Sequence, residues 1–319
     1  MRRHELLTAG VCTTLLRRAA AAQELSMRKL GILISDAQPE RGFHLFREGL
    51  RDLGYVEGRN IHLETRSAGG EVARLPRFAA ELIGLRVDAI AAFGTRAVLA
   101  AKDATAKIPI VFLSGLDPVA AGWIKNLARP GGNITGISSV NAGLGGKHVE
   151  LLAEIMPGLS GIAVLLNAED AFAAPLLESI QLFGKTRQIE IVPLHVRSDA
   201  ELETVFATVM RNKVGGVIVQ GSLPLKHAAD LAIQHRLPSG APRKIFALNG
   251  GLIAYSPNGE AMLRDMARLV DKVLKGAKPA DLPVEEPTRF ELAINLKTAK
   301  ALGLTIPQSV LVRADEVIQ

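Results

Sequence analysis

The sequence has one cysteine, Cys12. That excludes a disulfide framework and any site built from several thiolates. Aromatic residues make up only 4% of the chain, with a single tryptophan and two tyrosines, which argues against a surface that stacks nucleobases. No apolar run approaches the ~20 residues needed to span a bilayer. No glycine-rich loop ends in Gly-Lys-Ser/Thr; Gly145-Gly146-Lys147-His148 fails at its last position. The first apolar run is followed by Ser35-Asp36-Ala37-Gln38 rather than a Gly-x-Gly-x-x-Gly, so the usual dinucleotide fingerprint is missing. Gly136-Ile137-Ser138-Ser139-Val140 lacks the second glycine of a nucleophile elbow. No two histidines have zinc-binding spacing. His227 and His235 are expected to be solvated on a helix. His195 ends a strand with no partner in the sequence. Neither a cofactor nor a metal is indicated.

The 319 residues include 38 Lys+Arg and 32 Asp+Glu, a net charge of +6. Half of that excess lies at the N-terminus. Arg2 and Arg3 precede a mostly apolar stretch from Leu6 to Leu16, and Ala20-Ala21-Ala22 fits a small-residue cleavage site. This is the layout of a secretory signal over residues 1–22, with Arg2-Arg3 also resembling a twin-arginine signal. Without it, 34 basic and 31 acidic residues remain and Cys12 is lost. The basic excess is then an export device rather than a nucleic-acid footprint. A chain without thiols suits an oxidising periplasm.

From Lys29 onward, short apolar runs alternate with amphipathic segments. Lys29–Ile34, Val87–Phe93, Ile108–Leu113, Gly161–Leu166 and Gly216–Gln220 have the character of buried parallel strands. Phe43–Leu53, Val72–Leu85, Ala171–Thr186, Leu225–His235 and Glu260–Lys275 have helical spacing. Asp117-Pro118 predicts the start of a helix running to about Leu127 and carrying Trp123. The pattern restarts near Gly136–Val140. It implies two α/β lobes, each a parallel sheet flanked by helices.

In open α/β sheets, ligands sit beyond the C-terminal ends of the strands. Those positions hold Ser35, Asp36, Gly94, Thr95, Ser114 and Asp117 in the first lobe. In the second they hold Asn167, Gln220 and Ser222, with Ser139 and Tyr255 at the joins. The reading is two polar half-sites across a cleft, binding a small polar solute; ordinary helix capping is the competing explanation.

Five segments resemble one family: Leu53-Gly54-Tyr55-Val56-Glu57-Gly58-Arg59-Asn60; Ile108-Pro109-Ile110-Val111 with Asp117-Pro118-Val119; Leu127-Ala128-Arg129-Pro130-Gly131-Gly132-Asn133-Ile134-Thr135-Gly136; Lys278-Pro279-Ala280-Asp281-Leu282-Pro283-Val284; and Ile294-Asn295-Leu296-Lys297-Thr298-Ala299-Lys300-Ala301-Leu302-Gly303. Together they resemble the ABC transporter substrate-binding proteins of the tryptophan/tyrosine-transport type, from about Leu30 to the C-terminus. The resemblance implies a type I periplasmic-binding fold with two Rossmann-like lobes and three hinge crossings. It places residues 28–136 and 257–282 in lobe 1, and 137–256 and 283–319 in lobe 2. It implies a monomeric periplasmic receptor that closes on an amino acid or related carboxylate. Its partners would be a membrane permease and ATPase, with no nucleic acid and no catalysis. A sensor subunit of a signalling system and an exported α/β enzyme using His195 are the alternatives.

Two features depart from the family pattern. Ser239-Gly240-Ala241-Pro242 stands where an apolar strand with an aromatic is usual. A glycine there is expected to weaken the strand and remove a side chain near the site. Aromatics are also sparse around the expected site, which points away from an aromatic ligand and leaves Tyr255 as the stacking candidate.

Overall fold

The computed structural model describes residues 27–35, 40–139, 143–170 and 172–319. The signal segment with Cys12, the site candidate Asp36, and Val140 and Ala171 lie outside the described residues. The chain divides into two compact units. Unit 1 comprises the described residues up to Leu113, Trp123–Gly136 and Leu263–Val284; unit 2 comprises Ser114–Gly122, Ile137–Met262 and Glu285–Gln319.

Unit 1 is built on β1 (Arg28–Ile34), α1 (Glu40–Asp52), β2 (Ile61–Ser67), α2 (Leu75–Gly84), β3 (Ala89–Phe93), α3 (Thr95–Ala104), β4 (Ile110–Ser114) and β5 (Ile134–Ser138). The sheet order is β2-β1-β3-β4-β5. β1 pairs in parallel with β2 and β3, and β3 with β4. The strands β1, β3 and β4 are short apolar runs because both faces are covered: Leu30, Ile32, Ile90 and Val111 are fully buried. A 3-10 turn, Val72–Arg74, precedes α2, where continuous helix from Val72 is expected; Pro76 in the first turn fits this start. β5 follows the Pro130-Gly131-Gly132 turn and is the strand that the periodicity does not reveal.

Unit 2 continues with α4 (Gly143–Ile155), β6 (Gly161–Asn167), α5 (Ala173–Arg187), β7 (Glu190–Val196), α6 (Leu202–Arg211), β8 (Gly216–Val219), α7 (Leu225–Gln234), β9 (Ser239–Ala241), α8 (Lys244–Leu248) and β10 (Ile253–Pro257). The helix α9 (Gly259–Leu274) follows; its Leu263–Leu274 portion belongs to unit 1. Then come β11 (Phe290–Asn295), α10 (Leu296–Leu302), α11 (Gln308–Leu311) and β12 (Glu316–Ile318). The seven-stranded sheet runs β12-β11-β10-β9-β8-β6-β7. Its two faces are covered by separate apolar clusters. One is centred on Leu152, Val164 and Ile253, the other on Leu165, Phe206 and Val219.

Four expectations are corrected. β11 runs antiparallel to β10, not parallel. The chain re-enters unit 2 at Glu285, and Asn258 N–H donates to the Arg289 carbonyl at 2.9 Å. It therefore starts β11 at the end where β10 stops, and must run back along it. No helix follows Asp117. Its carboxylate accepts from Val119 N–H (2.8 Å) and Ala120 N–H (3.1 Å), but the turn ends at Gly122, whose φ is +68°. Trp123 is accordingly not helical; it is buried and packs edge-to-face on Phe112 at 5.7 Å.

Gly240 does not leave a gap. β9 is an internal, fully buried strand, and a Cβ at Gly240 would stand 3.2 Å from His148 Cδ2. The missing side chain is the room that the buried His148 ring occupies. Nor are the two helix histidines simply solvated. His227 Nδ1 lies 2.7 Å from Asp199 Oδ1, and His235 stacks on Phe206 at 5.9 Å.

Candidate functional site

In unit 1 the C-terminal ends of β1 and β3 bring Ser35, Gly94 and Thr95 to one rim. The Ser35 hydroxyl donates to the Phe93 carbonyl at 3.2 Å, and Ser35 N–H donates to the same oxygen at 3.1 Å. Gly94 caps α3 at φ +89°, where its N–H donates to Leu113 O at 2.9 Å. These residues join neighbouring strand ends; the Ser35 hydroxyl is committed to the backbone.

Ser114 and Ser139 meet in unit 2. Ser139 donates to the Ser114 carbonyl from both N–H (2.8 Å) and Oγ (3.1 Å), while Ser114 Oγ accepts from Leu116 N–H at 3.1 Å. Asp117 caps its own turn. All three are engaged in hydrogen bonds within the loops that follow β4 and β5.

The remaining unit 2 candidates form a more open arrangement. Parallel pairing places the ends of β6, β8 and β9 side by side. Gln220, buried just past β8, accepts from Asn167 N–H through Oε1 at 2.8 Å. Its Nε2 donates to Asp170 Oδ2 at 2.8 Å. The exposed Ser222 hydroxyl donates to the same Asp170 oxygen at 2.6 Å. Asp170 Oδ1 accepts from Phe172 N–H at 3.0 Å. Asn167, Gln220 and Ser222 are thus gathered around a carboxylate that sequence reasoning passed over. Its signal was its position, three residues past a strand end.

One residue beyond Pro242, at the end of β9, stands Arg243. It is exposed, and its stem lies along Gly221. Its Nη1 reaches the Gly221 carbonyl at 3.5 Å, the outer limit of a hydrogen bond. Arg243 also went unnoticed in the sequence, where its segment stood out only for the glycine.

Across β10, Tyr255 is level with Pro242, because Ala254 pairs with Ala241. The Tyr255 ring stacks on Phe290 at 5.7 Å and 16° and meets His148 edge-to-face at 6.4 Å. This end of the sheet therefore has two stacked aromatic rings, more than the overall scarcity suggests. His148 supports them from below. Its Nδ1–H donates to Leu144 O at 2.7 Å, leaving Nε2 to accept from Tyr255 N–H at 3.4 Å. Burial holds its pKa below the ordinary imidazole value, so the ring is neutral at pH 7.

His195 is exposed on β7, the edge strand. Among the described residues, no group of three or more His, Cys, Asp or Glu side chains is placed to hold a metal ion. No helix of the described residues is long and apolar enough to cross a membrane.

Parallel sheets wrapped by helices, with polar side chains collected at the strand C-terminal ends, define a ligand-binding α/β protein of the open-sheet kind. The chain belongs to the ABC transporter substrate binding protein family, whose model matches residues 35–318. The "Tyrosine-binding protein" of Clostridioides difficile (strain R20291) is 26% identical over 268 residues, 81% of this chain and 75% of that protein. A Streptococcus ABC domain solved in complex with L-Trp is 25% identical, with a TM-score of 0.82 over 92% of this chain and all of that one. A conserved domain protein from Vibrio cholerae is 27% identical, with a TM-score of 0.80 over the same shares. A leucine binding protein from Thermotoga maritima, 12% identical with a TM-score of 0.61 over 82% of this chain and 91% of its own, shares the fold. The fold is that of the type I periplasmic binding proteins, as the resemblance in the sequence implied.

Proposed function

We propose that this protein is the solute-binding component of an ABC importer and works outside the cytoplasm. It takes an amino acid or related small carboxylate on the polar rims at its strand ends, and presents it to a membrane permease with its ATPase. The two compact units are its two lobes. Support comes from the family membership and from two relatives that are named for tyrosine binding or solved with L-Trp. The observation that carries the reading is the unit 2 rim, where hydrogen-bonding groups, opposite charges and two stacked aromatic rings share one sheet end.

The experiment is a thermal-shift screen of the purified protein with the twenty L-amino acids and a series of small carboxylates. A ligand at 100 times its dissociation constant stabilises by about 2.7 kcal/mol. One or a few amino acids should shift the midpoint. No shift from any of these compounds at millimolar concentration would refute the reading.

A further inference from the structure

We infer that Arg243 is the carboxylate anchor of the site and Asp170 the ammonium acceptor, so that the rim selects a zwitterionic α-amino acid over amines and plain acids. The inference rests on the proposed solute-binding role and deepens it.

The argument starts from two charges that touch one loop and do not pair with each other. Arg243 follows β9, Asp170 follows β6, and the Gln220–Ser222 loop after β8 lies between them. That loop touches both: Gln220 and Ser222 donate to Asp170, and Gly221 O faces Arg243 Nη1. Among the described residues, neither charge has an ion-pair partner. The Asp170 carboxylate is fixed by three donors, from Gln220, Ser222 and the Phe172 backbone. It is therefore oriented before any ligand arrives, and of its roughly four acceptor sites one, on Oδ1, is left.

Arg243 has five N–H donors in a planar fork, and one marginal contact uses only one of them. A guanidinium with its fork free is suited to bidentate capture of a carboxylate. Fixed opposite charges held apart by a neutral loop complement the ammonium and carboxylate of an amino acid. Tyr255 and Phe290 stand one and two strands further along the same sheet end and would offer a ring face to the side chain of such a ligand. A plain anion site would have no use for Asp170, whose charge repels it. A cation site would have no use for Arg243.

The test compares wild type, Arg243→Gln, Arg243→Lys and Asp170→Asn by titration calorimetry. Probes are the amino acid with the largest shift among the twenty, its C-terminal amide and its deaminated acid. Arg243 is exposed, so R243Q without ligand should melt with wild type, which separates lost binding from lost folding. For wild type, the amino acid should bind better than either analogue. R243Q should weaken the amino acid about 30-fold or more while barely changing the amide. R243K should retain part of the affinity, and D170N should weaken the amide and the amino acid but not the deaminated acid. If R243Q binds the amino acid as wild type does and still discriminates against the amide, the inference is overturned and the solute-binding reading stands. If wild type binds a small carboxylate but no amino acid, the inference falls and the solute-binding reading stands; if it binds neither, both fall.

Discussion

Gly136 offers a sharp test of how the first sheet is built. A Cβ placed there would lie 2.2 Å from the Phe112 carbonyl oxygen and 2.6 Å from Phe112 N. Ordinary contact begins near 3.4 Å, so β4 and β5 would have to separate by roughly 1 Å locally. The obstructing atoms are main chain, so no rotamer change relieves the clash. Overpacking alone costs about 1–3 kcal/mol, and each ladder hydrogen bond lost adds about 1 kcal/mol. With one ladder bond lost, Gly136→Ala should therefore destabilise unit 1 by about 2–4 kcal/mol, a fall of about 4–16 °C in Tm. Two controls in the same unit isolate the cause. Gly54 has φ +90° and nothing within 4 Å of its Cβ position, so Gly54→Ala carries backbone strain only, about 1–2 kcal/mol. Gly84 ends α2 without a positive φ and also faces open space. Gly84→Ala should be neutral or stabilise by up to about 1 kcal/mol. Urea unfolding of the three variants, followed by circular dichroism, gives the order directly. If G136A is no less stable than G54A, the close approach of β4 and β5 is not what requires glycine, and the reasoning fails.

Tyr55 is buried and its hydroxyl donates to Asp271 at 3.0 Å; burial first, then that bond, push its pKa up to about 12. The folded form holds this proton more tightly than the unfolded chain. Its contribution is full below pH ~10 and is lost as pH rises toward 12, on the order of 2 kcal/mol in all. Y55F should lose this component of the alkaline decline measured by urea unfolding, and an unchanged decline would contradict the assignment. His148 has the opposite sign. Its folded pKa is depressed, so the unfolded chain takes the proton first, and stability should fall as pH drops below about 6.5. His148→Gln should flatten that acid slope between pH 6.5 and 5 in thermal melts; an unaltered slope would exclude His148 as its source. Asn295 caps α10 by accepting from Thr298 N–H at 3.0 Å and also donates to Ala247 O at 2.9 Å. Asn295→Ala should cost about 1–3 kcal/mol in urea unfolding, the lost cap on the buried Thr298 N–H plus the lost bond to Ala247 O, which keeps the Gly250 N–H as a partner. A cost under 0.5 kcal/mol, within the ordinary range for surface changes, would show that neither bond matters.

The strands covered on both faces were legible because burial leaves an uninterrupted apolar run: β1, β3, β4, β6 and β8 all show one. β5 was not, because Ile134-Thr135-Gly136-Ile137-Ser138 contains the glycine that close approach demands and polar residues used elsewhere. Thr135 Oγ1 donates to the carbonyls of Leu282 and Pro283 at 2.9 and 3.2 Å, a tertiary bond invisible to periodicity. The Asp117-Pro118 start was a correct local signal that Gly122 overrode. The direction of β11 depends on where the chain re-enters unit 2, which no local pattern records. Among site residues, strand ends pointed to Asn167, Gln220 and Ser222. The group they surround, Asp170, and the cation beside them, Arg243, belong to loops whose geometry only the folded sheet defines.

The segments that carry the family resemblance do structural work. In Leu53–Asn60, Gly54 and Gly58 adopt positive φ and Asn60 clamps the turn, accepting from Val56 N–H and donating to Gly54 O. In Arg129–Gly136, Gly131 and Gly132 turn the chain at φ +71° and +72°. Asn133 then ties it to Thr105 and Ile108, at 3.0 and 2.8 Å. In Ile294–Gly303, Asn295 and Gly303 cap the two ends of α10. In this chain such residues are required by the backbone conformation, not by a ligand. None of them is among Asn167, Asp170, Gln220, Ser222, Arg243 and Tyr255. The features that identify the family and the features that would choose the ligand are therefore separate sets of residues in this chain. On the proposed reading, the choice between an acid, an amine and a zwitterion would therefore be made by Arg243 and Asp170 at the unit 2 sheet end, apart from the residues that carry the family resemblance.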